Sequence, residues 1–169
     1  MFTVRSLVPL SIGVLVVGLI TGYLLVNDVA AGPWLLALLL LAHGSLHVAF
    51  AVPRPVPAPA TGDAPIDWPF DLARSWLVGR LGLDPGLVLL IGRALVVGIV
   101  VAFTLAALCT LGFIVPAEWW TVLIVTAASL SFVLLAIVFA ATLLVGFGID
   151  LALVWFALSS LWTPASALG

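Results

Sequence analysis

The chain has 169 residues, 65% of them hydrophobic and 7% charged, with a net charge of −2. A soluble domain carries about a quarter charged residues, so this composition excludes a water-exposed globular surface and marks an integral membrane protein. Five arginines without a single lysine, set beside long apolar runs, also exclude the basic face that a nucleic-acid binder needs.

The first apolar stretch, Leu7 to Val26, meets the length of about 20 residues for a span. It exceeds the roughly 7–15 residues of a secretory signal core, so it reads as a retained first helix over 7–26. Asn27-Asp28 ends it, and Gly32-Pro33 opens a second span over 33–52, with Pro33 suited to a first turn. Pro53-Arg54-Pro55 closes that span. Prolines then recur at 55, 57, 59, 65 and 69, the composition of an extended loop. Segment 53–86 therefore reads as a cytoplasmic proline-rich loop followed by an interfacial stretch. Trp68, Phe70 and Trp76 beside Arg74 and Arg80 suit the headgroup level, with a short helix expected over Asp71–Leu83.

Asp84-Pro85 has the form of an N-cap and a first-turn proline. The third helix starts there, and its uninterrupted apolar part is 94–115, which leaves Arg93 near the membrane boundary. Pro116-Ala117-Glu118 opens a fourth span, 119–144, with Trp119 and Trp120 as interfacial anchors. Between Trp119 and Trp162 the only charge is Asp150. As one helix this stretch would run about 66 Å, twice a bilayer crossing. The glycines at 146 and 148 mark the expected break, with Asp150 as a cap and a short fifth span over 149–163.

The fold class that follows is all-α: a single-domain integral membrane bundle of five transmembrane helices over residues 1–169. Four spans plus a re-entrant last segment is the alternative. With the N-terminus cytoplasmic, all five arginines fall inside, while the outer segments carry Asp28 and Glu118. The expected location is the cell membrane, multi-pass, with the C-terminus outside. Helices already in lipid associate through close backbone approach and hydrogen bonds. Gly18 and Gly22, the ladder Ala94, Gly98, Ala102 and Ala106, and the group Ala128, Ser129, Ser131 and Ala136 mark the contact faces. Packing within the chain is the favoured use of the Gly18/Gly22 pair, and a homodimer seam is the other. Cys109 stands alone in an apolar helix and reads as a small core residue.

His43 and His47 are the only histidines, four apart on one helix face, about 6 Å along the axis. A haem held by two histidines needs one on each side of the ring, which one helix face cannot offer. Two nitrogens fall short of the three or more protein ligands of a zinc site, so no metal site is assigned. A quinone, a lipid headgroup or a proton needs only one imidazole. His43 and His47 are thus the candidate cofactor-binding residues, for a cofactor the sequence does not name. Asp150 and Arg93 are the candidate proton or ion-pair partners. Hydroxyl partners of the type of Ser45, Thr104, Thr126 or Ser129 would instead make the pair structural.

GSLH at 44–47, WPFDLARSWLVG at 68–79, EWW at 118–120 and GIDLALV at 148–154 resemble stretches of small prokaryotic membrane proteins loosely grouped as DoxX-like. The resemblance implies a compact helical bundle of four or five spans. No phosphate loop, CxxC, GxSxG or HExxH motif occurs, so a non-enzymatic role is favoured. The leading expectation is an accessory or assembly component of a membrane complex, with the lipid bilayer, other membrane subunits or a second copy as partners. A redox-linked or proton-coupled protein is the alternative, and a small-solute transporter the weaker one. The topology has a direct check. A reporter fused to the C-terminus should be active outside the cytoplasm, and cytoplasmic activity would reject five spans.

Overall fold

The computed structural model describes residues 4–51, 75–138, 143–159 and 161–164, which form helices and connections with no strand. The proline-rich loop expected over 53–69 lies outside these residues. Helix α1 is Val4–Val26 and α2 is Ala31–Leu46, which continues as a 3₁₀ segment His47–Ala51. A single turn, α3, covers Trp76–Gly79, and α4 is Pro85–Thr110. Beyond a 3₁₀ turn at Ala117–Trp119, α5 is Trp120–Ile137 and α6 is Leu144–Ser159.

Three of these are long and apolar enough to cross a membrane: Ala31–Ala51, Pro85–Thr110 and Ala117–Ile137. Ile12–Val26 within α1 and Leu144–Ser159 are shorter apolar helical stretches. The count of five transmembrane helices is therefore not supported, and among the described residues three helices have the length and composition to span. At 16 residues, α6 reaches about 24 Å, short of the roughly 30 Å of a hydrocarbon core.

Local chemistry explains most boundaries. The Asp84 carboxylate accepts from the Leu87 N–H at 2.9 Å, and Pro85 takes the first position of α4, as the sequence predicts. Between α1 and α2 the chain turns at Asp28, whose φ is 53°, and Gly32 sits tight against Leu25. The expected helix over Asp71–Leu83 is, in its described part, only the turn Trp76–Gly79, followed by Gly82 at φ 66°. Trp76 donates its indole N–H to the Ala136 carbonyl at 2.9 Å, which ties this turn to the end of α5.

The break between the last two helices differs from the expectation. Helix α5 ends at Ile137 and α6 already begins at Leu144, so Gly146 and Gly148 lie inside α6. A side chain at 146 would start 3.0 Å from the Leu135 side chain. That glycine permits close approach of α6 to α5 rather than a turn. Asp150, expected as a cap, is buried in the helix interior.

Helix α4 packs on α2 and α5, and α5 packs on α6, while α1 leans on α2. The core runs through Leu40, Ile99, Phe103, Ile124 and Leu134, all fully buried. At the opposite end, Trp120 is buried, donates to Thr110 Oγ1 at 3.0 Å, and meets Phe156 and Trp162 edge to face. Among the expected small-residue contacts, Ala102, Ala106 and Ala128 are buried, and Gly98 faces Leu130 of α5. Among the described residues, nothing lies within 4 Å of where a side chain at Gly18 or Gly22 would start.

Two glycine substitutions separate these environments. A side chain at Gly44 would start 3.0 Å from Phe103 Cβ on α4. Gly44→Leu should lower unfolding stability in micelles by about 1–3 kcal/mol. Gly18→Leu should change it by no more than about 0.5 kcal/mol. Equal effects would contradict the α2–α4 packing.

Candidate functional site

The two histidines lie in the interior of the bundle. Along α2 and its 3₁₀ extension, His47 is about 8 Å from the Ala51 end and His43 about 14 Å. His43 is thus near mid-depth of Ala31–Ala51. Both are buried, at 8% and 3% exposure. Ser131 on α5 is fully buried, and Asp150 on α6 is 1% exposed.

These four side chains form one chain of hydrogen bonds. His43 Nε2 lies 3.0 Å from Asp150 Oδ1. Asp150 Oδ2 lies 2.6 Å from Ser131 Oγ, and Ser131 Oγ lies 2.7 Å from His47 Nε2. His47 Nδ1 donates to the His43 carbonyl at 2.9 Å, which closes the circuit. The local backbone makes this last bond available. At His47 the helix tightens to 3₁₀, and its N–H turns to the Gly44 and Ser45 carbonyls. The His43 carbonyl is then an orphan acceptor at the end of α2, and the imidazole takes it. The two rings stand edge to face with centroids 5.0 Å apart, and His43 meets Phe103 at 5.1 Å in the same manner.

The antiparallel hairpin of α5 and α6 brings Ser131 level with Asp150. Ser131 lies seven residues before Val138, and Asp150 lies seven after Leu143. Helix α2 has its main backbone contacts with α4. Its two imidazoles bridge to α5 and α6. The contact between the His43 imidazole and the Asp150 carboxyl group is enclosed by apolar helix surfaces.

Of the four predicted site residues, the structure brings together His43, His47 and Asp150. Arg93 stands apart: it is exposed, and its Nε donates to the Ala51 carbonyl at 3.3 Å. That contact places the guanidinium at the end of the 3₁₀ segment, where a cation complements the helix C-terminus. Ser45 bonds its own helix at Ala42, so it is not the hydroxyl partner of the pair. Ser131, read from sequence only as a small contact residue, is the hub. Its signal is the register of α5 against α6, which becomes visible once α5 ends at Ile137 and α6 starts at Leu144.

The fit of cofactors follows from the same geometry. Three of the four imidazole nitrogens bond within the protein, and His47 uses both of its own. A metal on His47 would have to displace one of those bonds. No group of three or more His, Cys, Asp or Glu able to hold a metal occurs among the described residues. A groove of about 440 Å³ lies between α2 and α4, flanked by Leu38, Leu41, Val100 and Thr104. Gly44 and Phe103 also line it, and neither histidine does. The Phe103 ring stands against His43.

Comparison of the chain with protein-family models, curated proteins and solved structures finds no match. Nothing in those comparisons bears on the DoxX-like resemblance.

Proposed function

We propose that this chain is a multi-pass membrane protein whose buried His43–Asp150–Ser131–His47 cluster takes up and releases a proton, so that its work is proton-coupled. One observation carries the reading: an acid and two imidazoles meet, with a hydroxyl between them, inside an apolar three-helix junction. Ionisable groups at membrane depth are rare and costly, and they mark proton pathways and ion sites. Imidazole changes charge within the physiological pH range. The proton is linked to structure because Asp150 holds the short helix α6 to both α2 and α5. Binding of quinone or another cofactor by the histidines has less support, since the α2–α4 groove is not lined by either ring.

The membrane arrangement belongs to the same proposal. In it, α1 and α6 complete five crossings in the cell membrane, with the N-terminus cytoplasmic. The Arg93–Ala51 contact supports the common side of the arginines, because it sets the end of the second span level with Arg93.

A second reading, the accessory or assembly component, draws on α1. Gly18 and Gly22 share one face of that helix, and no described residue packs against either. Another membrane helix, from a second copy or a different subunit, fits there. Gly18→Leu should then weaken self-association measured by energy transfer in micelles, and unchanged association would exclude a homodimer on this face.

Proton titration tests the main reading. Between pH 9 and pH 5, Asp150→Asn in lipid nanodiscs should take up about one proton per chain less than wild type. Equal uptake would contradict a proton site at the cluster.

A further inference from the structure

The contacts of the cluster need more hydrogens than an ionised acid and two neutral imidazoles supply. His47 Nδ1 faces the His43 carbonyl, which only accepts, so Nδ1 carries a hydrogen. His43 Nε2 faces a carboxyl oxygen and carries one too. A neutral His47 then has no hydrogen on Nε2. Asp150 Oδ2, Ser131 Oγ and His47 Nε2 make two contacts, at 2.6 and 2.7 Å, and Ser131 has a single hydroxyl hydrogen. With an ionised Asp150, one of these contacts would press two lone pairs together at hydrogen-bond distance.

We propose that one additional proton completes this chain and that Ser131 relays it between Asp150 and His47, an inference that rests on the reading of the cluster as a proton site. Two forms satisfy every contact. In the first, Asp150 is a carboxylic acid whose Oδ2–H donates to Ser131 Oγ. The Ser131 hydroxyl donates to His47 Nε2. In the second, Asp150 is a carboxylate that accepts the Ser131 hydroxyl, and His47 is an imidazolium whose Nε2–H donates to Oγ. The forms interconvert when the Oδ2 proton moves to Oγ as the Oγ proton moves to Nε2. Proton count and net charge are unchanged, and no electron moves.

The neutral form is the resting one, because a separated charge pair loses more hydration in the bundle interior. His43 is a fixed donor in both forms. A further proton on its Nδ1 would leave the gap between Oδ2 and Nε2 unfilled. The titratable groups facing Asp150 are His43 of α2 and, through Ser131, His47 of the 3₁₀ segment that follows it. From α5 comes Ser131, and from α4 the apolar ring of Phe103. Arg93 of α4 is engaged at Ala51. Ser131 thus takes part in the transfer itself, because its own hydroxyl proton moves.

Infrared and nitrogen NMR spectra of histidine-labelled protein in nanodiscs test this, with wild type, Ser131→Ala, Ser131→Thr and Asp150→Asn compared from pH 5 to pH 9. At pH 7, wild type should show a carboxylic-acid band that Asp150→Asn removes, with His47 protonated on Nδ1 alone. An imidazolium His47 facing an Asp150 carboxylate holds the same proton in the other form and also supports the relay. As pH rises, the acid band and the His47 Nε2 resonance should change together. Ser131→Ala should separate the two changes, and Ser131→Thr should restore them. A carboxylate Asp150 with a neutral His47 in wild type at pH 7 overturns the proposal, and wild type alone decides this if Ser131→Ala does not fold. Retained coupling in Ser131→Ala also overturns it. A proton held unchanged across the whole range supports the hydrogen count while contradicting the proton-coupled reading above.

Discussion

The Asp150 carboxyl group bonds to two helices at once, His43 of α2 at 3.0 Å and Ser131 of α5 at 2.6 Å. Much of the structure depends on this constraint. Helices in lipid gain little from burying apolar side chains against one another, because the lipid is equally apolar. A polar group left unbonded there costs several kcal/mol. The carboxyl therefore selects an arrangement in which its partners reach it. The close packing of α2 with α4, α4 with α5 and α5 with α6 leaves the α2 side of α6 open to choice. The cluster closes that side and holds α6 against both α2 and α5.

Much of the site was legible in the sequence, and the remainder depended on one turn. The spacing of His43 and His47 places them on a common face, and the Asp84-Pro85 pair starts α4 where an N-cap and a first-turn proline must. Asp150 was legible as a cap at the turn and as a candidate proton or ion-pair partner, but its place inside α6 was not. Gly146 and Gly148 read as a break, whereas within a membrane helix glycine also serves close contact. Gly146 faces Leu135 in that way. With α6 already begun at Leu144, Asp150 is an interior residue rather than a cap and lies opposite Ser131. No pattern along the chain distinguishes Ser131 from Ser129, because only the hairpin register turns one inward and the other to the surface. Arg93 was legible as a boundary residue by its position in α4, and its partner, the Ala51 carbonyl, belongs to a 3₁₀ segment that composition does not announce.

The surroundings of the cluster explain why a proton fits it better than a larger guest. Phe103 lies edge-on to His43, and Gly44 lets α4 approach closely at the same level. The groove on the far side of that contact is apolar apart from hydroxyls such as Thr104. Both nitrogens of His47 are committed, one to a backbone carbonyl and one to a serine. A proton can enter such a network by changing which atoms donate, with no cavity required.

The central claim is that a carboxyl group of α6 and an imidazole of α2 meet in the membrane interior. Solid-state NMR of the protein in lipid, with labelled histidine nitrogen and aspartate carboxyl carbon, tests it most directly. Magnetisation should pass between His43 Nε2 and the Asp150 carboxyl carbon. If both signals are resolved and no transfer occurs, the cluster does not exist in the membrane and the account of the bundle is wrong.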